Sequence, residues 1–312
     1  MRLFVYAALS PSARTHLQRQ LPADLEVTFH HDLPPGQQFP AFQETEVLLG
    51  NPPPTWLEAG PSPLLSFWQL DSAGFERYRH LRLPLPVANM GDFYSWPCAE
   101  TMLGGLLSIY RHLAELAVLQ AQRQWASRAH VRNRAALLRG QRVVLLGAGS
   151  VARALRGLLR AFECPVQLLA PTHPEATLRT KADLRAVLPD TDIVVNCLPG
   201  SAEGFFSADL FAAMRPGSIY ASVGRGNTTD EPALLRLLQA GYLGGAVLDV
   251  TAIEPLPADS PLWTLPNVLL TQHTGGGQAH EDRGKIEMLL RNLDHLRHGR
   301  PLENLVDLSR GY

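Results

Sequence analysis

Four residues in the last third of the chain have types suited to chemistry, and each stands at or shortly after the end of an apolar run of β character. Arg225 follows SIYASVG, Asp249 ends GAVLD with Glu254 five residues on, and His273 ends NVLLTQ. Chain neighbours do not bring these residues together, but strand ends of one open parallel sheet would, because such sheets bind ligands outside the carboxyl ends of their strands. Hydride delivery to a 2-oxo acid needs a cation for the carboxylate and carbonyl oxygen, an acid to protonate that oxygen, and a carboxylate to orient the imidazole. Arginine, histidine and glutamate are that set. An opposite charge favours the imidazolium, so Glu254 would keep His273 protonated for reduction. Taken singly, each has an ordinary reading: Arg225 a solvated turn residue, Glu254 a turn cap before Pro255, His273 a surface histidine. Their conjunction at successive strand ends favours chemistry.

GAGSVA at 147–152 fits the G-x-G-x-x-G/A turn that follows a strand and opens a helix. Gly147 serves the tight turn, Gly149 the close approach of backbone to a pyrophosphate, and Ala152 the packing of helix on strand. Free N–H groups and the positive dipole end of the helix would bind the anion. An acid about 20 residues on, which bonds the adenosine 2′-hydroxyl in NAD enzymes, is missing. Leu169 and Ala170 stand there, followed by Pro171, Thr172 and His173, and no acid appears before Glu175. A 2′-phosphate would meet no repulsion, and Thr172 and His173, helped by Arg179 or Lys181, could bond it. This favours NADP(H), with NAD(H) the alternative.

The elements that must position these residues follow from texture. Thirteen of the 25 prolines fall in the first 97 residues, with PPG at 34–36 and PPP at 52–54 read as loops. Between them lie strand-like runs at 3–7, 25–29, 47–49, 65–70 and 86–89, and a helical stretch at 12–20, which suggest a small α/β unit. From 98 to 124 no proline occurs and apolar positions recur at helical spacing, predicting one long helix. From Arg142 strands at 142–147, 166–170, 192–198, 218–223, 245–250 and 267–273 alternate with helices at 151–162, 184–188, 208–214 and 231–240. That alternation predicts an α/β doubly wound parallel sheet. A last helix is expected over 281–298.

Composition narrows the field. In 312 residues, 46% hydrophobic and 18% charged describe full cores, about two domains, and no disordered chain. A net charge of −1 argues against a nucleic-acid binder. No apolar run reaches the ~20 residues of a membrane helix, and the opening MRLFVYAALS reads as a first strand, not a signal peptide. The three cysteines, Cys98, Cys164 and Cys197, are odd in number and far apart, which supports neither a disulfide framework nor a metal site. The only lysines, Lys181 and Lys285, lie outside any P-loop motif. A cytoplasmic protein is expected.

The stretch SVGRGNTTDEPALLRLLQAGYLGGAVLDVTAIEPLPADSPLWTLPNVLLTQHTGG, with LRGQRVVLLGAGSVARAL and DIVVNCLPGSAEGFFSADLFAAMRPGS, resembles the D-isomer-specific 2-hydroxyacid dehydrogenase family. SFWQLDSAGFERY and LPVANMGDFYSWPCAETM resemble its substrate loop and the start of its linking helix. The resemblance implies two Rossmann-like domains. The cofactor domain with the linking and dimerisation helix (98–275) would be inserted into a smaller substrate domain (1–97 and 276–312). It implies that Arg225 binds substrate, Glu254 partners the histidine and His273 donates or accepts the proton. Asp249 would hold the nicotinamide carboxamide, and the N–H groups of Ala73 and Gly74 the substrate carboxylate. Further cofactor contacts are expected at Ser150, Val151, Cys197, Leu198, Pro199, Val223, Gly224 and Gly276, besides His273. No metal is implied; a homodimer is, through the helix from Cys98 and the stretch around Trp125.

Two departures stand out. The family's T-P-H-x-A is TQHTG here, with Gln272 for proline and Gly275 to Gly277 following, so the loop carrying His273 is expected to be less preorganised. Gly204 replaces a frequent threonine, and nothing in the sequence explains it. Length and the missing acid most resemble the short glyoxylate/hydroxypyruvate reductases. A phosphoglycerate-type dehydrogenase stays open, because Arg77, Arg79 and Arg82 could meet a phosphate. Glu254 disfavours formate-type relatives, which carry glutamine there. A cofactor-sensing binding protein would not need Arg225, Glu254 and His273 together.

Overall fold

The structure is a computed structural model and describes residues 1–311, apart from the side chains of Arg128 and His130. It divides into two compact units, Met1–Phe93 with Gln278–Tyr312, and Tyr94–Gly277.

The first unit holds strands β1 (Arg2–Val5), β2 (Glu26–Phe29), β3 (Val47–Leu49), β4 (Phe67–Gln69) and β5 (Val87–Ala88), all parallel, in the order β2-β1-β3-β4-β5. Side chains alternate across this sheet, as the two-residue period of a strand requires. Leu3, Val5, Val47, Leu49 and Phe67 enter one core, and Phe4, Leu48 and Trp68 the other. Helix α1 (Pro11–Gln20) covers the first face through Ala13 and Leu17. Helices α2 (Pro35–Gln43) and α3 (Pro54–Glu58) cover the second through Phe42 and Leu57. These two correct the reading of PPG and PPP as loops. Each helix starts on a proline, whose fixed φ and missing N–H suit the first helical position.

The second unit opens with α4 (Ser95–Arg111), α5 (Leu113–Ala121) and α6 (Arg128–Arg132). The single helix expected over 98–124 is broken. His112 takes a left-handed φ of 55°, ends α4, and turns α5 by 73°. Periodicity continues through the break, but burial does not: α4 buries Ala99, Met102 and Leu106, while α5 buries nothing. Among the described residues no single helix is long and apolar enough to cross a membrane.

Six parallel strands follow: β6 (Val143–Leu146), β7 (Val166–Leu169), β8 (Ile193–Asn196), β9 (Ile219–Ser222), β10 (Gly245–Leu248) and β11 (Val268–Leu270). Their order is β11-β10-β9-β8-β6-β7, with the chain reversing direction across the sheet between β6 and β8. One core takes Val143, Leu145, Ile193, Val195 and Val247 with α4 and α7 (Ser150–Arg160). The other takes Val144, Leu146, Val194 and Tyr220 with α8 (Lys181–Val187), α9 (Ala208–Ala213) and α10 (Glu231–Gln239). Burial on both faces explains why β6, β8, β9 and β10 read as unbroken apolar runs. The chain then re-enters the first unit as α11 (Glu281–Arg297), whose Ile286, Leu289 and Leu293 join the core under α1.

Candidate active site

The switch point between β6 and β8 is where an open sheet of this topology receives a ligand. Gly147 ends β6 there in the left-handed region (φ 102°), and Gly149 caps α7 with no side chain competing for the helix N–H groups. A Cβ added at Gly149 would point into open space, so the cradle for a pyrophosphate is free, with the first-turn residues Ser150 and Val151 at its rim. Ala152 is fully buried against the sheet. Across the switch, Cys197 N donates to Leu146 O (3.0 Å) and Leu198 N to Asn196 Oδ1 (3.0 Å), which holds the Cys197–Pro199 turn beside the glycine turn. These residues fit a dinucleotide.

The loop after β9 carries Arg225. Val223 N and Gly224 N both donate to Asn196 O (3.0 and 3.1 Å). A Cβ at Gly224 would collide with the Leu198 backbone, and one at Gly226 with the Thr251 carbonyl. Arg225 is therefore set in a packed turn against the next loop, and is no solvated turn residue. Beneath it a buried network that sequence reading missed joins Asn196 Nδ2 to Tyr220 Oη (2.9 Å) and Thr228 Oγ1 (2.8 Å); Thr228 Oγ1 in turn donates to Arg225 O (2.6 Å). Asn196 is fully buried, and a polar residue inside the VVNC run was the available signal.

The loop after β10 carries Glu254. Its Oε1 accepts from Thr251 N (3.0 Å), and Glu231 Oε2 accepts from Ala252 N (2.8 Å), so the loop is tied to itself and to α10. Glu254 Oε2 lies 2.6 Å from His273 Nδ1. The two side chains stay 36% and 51% exposed, which leaves the far side of the imidazole open to a ligand. They border a cavity of about 540 Å³ that also meets Pro255, Leu256, Trp263 and Gln272. Asp249 is 4% exposed, and its Oδ1 accepts from Thr271 Oγ1 (2.6 Å), Gly275 N (2.9 Å) and Thr274 N (3.1 Å). The loop expected to be loose is thus bonded along its length. Gln272 and His273 lie in the left-handed region (φ 53° and 55°), which proline cannot enter, so the loop takes a path that T-P-H could not follow. Gly276 packs against the Tyr94 ring beyond it.

In the first unit, Ala73 and Gly74 follow β4. Asn89 Nδ2 donates to Ala73 O (2.6 Å) and Ser72 Oγ to Gly74 O (2.7 Å), while Asn51 Nδ2 donates to Ser72 Oγ (3.0 Å). Two side chains therefore hold the carbonyls of this loop and Asn51 holds the Ser72 hydroxyl, and among the described residues no protein acceptor takes the N–H groups of Ala73 and Gly74. Asn51 and Asn89 were not singled out in the sequence. Arg77 donates to Asn51 O (2.7 Å), and Arg82 to Arg79 O and Leu81 O (both 2.9 Å), so two of the three arginines considered for a phosphate are engaged with backbone.

At the end of β7, Arg179 donates to His173 O (2.5 Å) and Ala170 O (3.3 Å), which fixes a cation beside Thr172 and His173. Lys181 is not part of this group: its Nζ lies 4.7 Å from the Phe205 ring centroid. Burial pushes the thiols of Cys98 and Cys197 up to about 11 and about 12, so neither is a nucleophile at neutral pH. Among the described residues no cluster of histidine, cysteine and carboxylate side chains could hold a metal ion.

Residues 103–275 match the D-isomer specific 2-hydroxyacid dehydrogenase, NAD binding domain. The chain is 31% identical over 176 residues to glyoxylate/hydroxypyruvate reductase A of Salmonella heidelberg (strain SL476), 54% of this chain and 56% of that protein. It therefore spans just over half the length of that reductase. Among solved structures it is similar to a D-isomer specific 2-hydroxyacid dehydrogenase family protein from Aeromonas salmonicida subsp. salmonicida A449, with TM-score 0.82, 27% identity, and coverage of 98% and 99% of the two chains. It is also similar to a D-isomer specific 2-hydroxyacid dehydrogenase from Xanthobacter autotrophicus Py2 solved with NADPH and MES, with TM-score 0.81, 26% identity, and coverage of 100% and 99%.

Proposed function

The chain belongs to the D-isomer specific 2-hydroxyacid dehydrogenase family, and from that premise we propose an NADPH-preferring reductase of small 2-oxo acids, with glyoxylate and hydroxypyruvate as substrates. It is an NAD(P)-dependent oxidoreductase; the substrate, the preference and the residue roles are our reading. The observation that carries it is the 2.6 Å contact of His273 Nδ1 with Glu254 Oε2, on the sheet end that also carries Arg225.

In this reading the Arg225 guanidinium takes the substrate's carboxylate and carbonyl oxygen. The turn from Gly147 to Val151 holds the pyrophosphate, with Cys197 to Pro199, Val223, Gly224 and Gly276 along the rest of the dinucleotide and Asp249 toward the carboxamide. When bound, the reduced nicotinamide supplies the hydride. His273 gives the proton on its Nε2 to the carbonyl oxygen, and Glu254 holds the ring in place and stabilises its charge. Thr172, His173 and Arg179 meet the 2′-phosphate, where no carboxylate repels it.

The protein works in the cytoplasm as a homodimer in this proposal. Support for the dimer comes from α5, whose Leu113, Leu116 and Val118 are 50%, 38% and 56% exposed, and from Trp125 at 99%. The test is loss of absorbance at 340 nm with glyoxylate or hydroxypyruvate, NADPH and NADH run in parallel. Turnover with NADPH well above NADH is expected. Nucleotide binding without turnover on either acid would overturn the substrate assignment.

A further inference from the structure

We propose that Thr271 and the buried Asp249 carboxylate form a latch that sets the pose of His273, which makes Thr271 a positioning residue for proton transfer. The proposal rests on the reading of His273 as proton donor.

Every residue from 271 to 275 except Gln272 bonds to Asp249. Thr271 Oγ1 (2.6 Å), Thr274 N (3.1 Å) and Gly275 N (2.9 Å) converge on Oδ1, and His273 N donates to the Asp249 carbonyl (2.6 Å). Thr271 O then accepts from Thr274 Oγ1 (2.6 Å) and Thr274 N (3.1 Å), closing the turn over the histidine. Bonds to a carboxylate are roughly twice as strong as neutral ones, and this one is 4% exposed, so water competes little.

The latch has strain to hold. Two consecutive non-glycine residues, Gln272 and His273, occupy the left-handed region, which L side chains disfavour. Glycine at 275 lets the carboxylate approach, since a Cβ there would fall 2.8 Å from Asp249 Oδ2 and 3.0 Å from Cγ. With proline absent at 272, the side chains of Thr271 and Asp249 take over the stiffening that a fixed φ would supply. The Thr271 side chain serves only the latch, whereas Asp249 is also read as a cofactor contact.

Thr271→Val keeps the shape and removes the hydroxyl. Steady-state kinetics should show kcat down by ~10–100-fold, the scale at which small misplacements act on a reacting group. NADPH binding, read by quenching of tryptophan fluorescence, should be unchanged. The solvent deuterium isotope effect on kcat should rise as proton transfer becomes limiting, and Thr271→Ser should restore most of the rate. Gly275→Ala, which presses on the carboxylate from the other side, should reproduce the kcat loss and the isotope effect, and serves as the test should Thr271→Val fold poorly. Wild-type kcat and isotope effect in Thr271→Val or Gly275→Ala, with His273→Ala inactive, would overturn the latch and leave the proton donor standing. Full turnover in His273→Ala would remove the reading beneath it. A Thr271→Ser enzyme as slow as Thr271→Val would also overturn the latch, because the hydroxyl would then not be the operative group.

Discussion

In the proposed mechanism His273 is the residue on which the chemistry turns. Its Nδ1 contacts Glu254, so in that reading the proton that moves is the one on Nε2. His273→Ala should lower kcat by ~10²–10⁴-fold, the range for a lost general acid, while NADPH binding measured by fluorescence stays at the wild-type level. Gln272 offers a separate check on the loop. At φ 53° proline cannot be accommodated, so Gln272→Pro should cost ~3 kcal/mol or more in a urea titration and lower kcat with it. Gln272→Gly should be neutral or slightly stabilising, because glycine enters that region freely. Both side-chain identities were legible in the sequence, and so was the pairing of Glu254 with His273. The path of the loop was not, because left-handed φ values at glutamine and histidine follow from bonds to Asp249, twenty-odd residues away, and no local pattern encodes them.

At the scale of elements, the proposed cofactor preference rests on the end of β7. Arg179 is anchored on the carbonyls of Ala170 and His173, so a cation stands beside the end of the strand after which NAD enzymes usually carry a carboxylate. Thr172→Asp should restore that carboxylate, and like charges ~4 Å apart near a surface cost about 4 kcal/mol before screening. The ratio of kcat/KM for NADPH over NADH should fall at least tenfold, and a ratio left unmoved would mean the 2′-phosphate lies elsewhere. From Val143 on, the strands and helices of the second unit were legible to within three residues at their ends, because runs buried on both faces announce themselves without tertiary knowledge. The elements misread were those where one residue does two jobs. Pro35 and Pro54 look like breakers and are helix starters, since the missing N–H matters inside a helix and not at its first turn. The break at His112 was hidden because α5 keeps an apolar sequence although none of its residues is buried.

At the scale of the whole molecule, that uncovered helix and the ionisation of buried groups give two tests. An apolar surface on a chain of net charge −1 meets little repulsion from a second copy. Sedimentation should give twice the mass of the chain, and Val118→Asp should shift the species toward monomer with the fold retained by circular dichroism. The second test is stability against alkali. The Cys98 and Cys197 thiols are raised from 9.0 to about 11 and about 12, by burial above all. A raised folded value means the native state keeps the proton that the unfolded state gives up. The resulting stability is fully present below pH 9 and is lost as pH climbs through the folded values. Burial also raises Tyr78, Tyr110 and Tyr220 above their usual 10.0, so tyrosines add to the loss only beyond pH 10. Between pH 9 and 10 the thiols act nearly alone, and each unit of pH should remove up to about 1.4 kcal/mol per thiol. Urea midpoints measured at pH 8, 9 and 10 should fall over the last step in the wild type and fall less in Cys98→Ala/Cys197→Ala, where the Cys164 thiol, also raised by burial, is the one that remains. Parallel falls in the two proteins would mean that the thiols ionise as freely in the native state as in the unfolded chain.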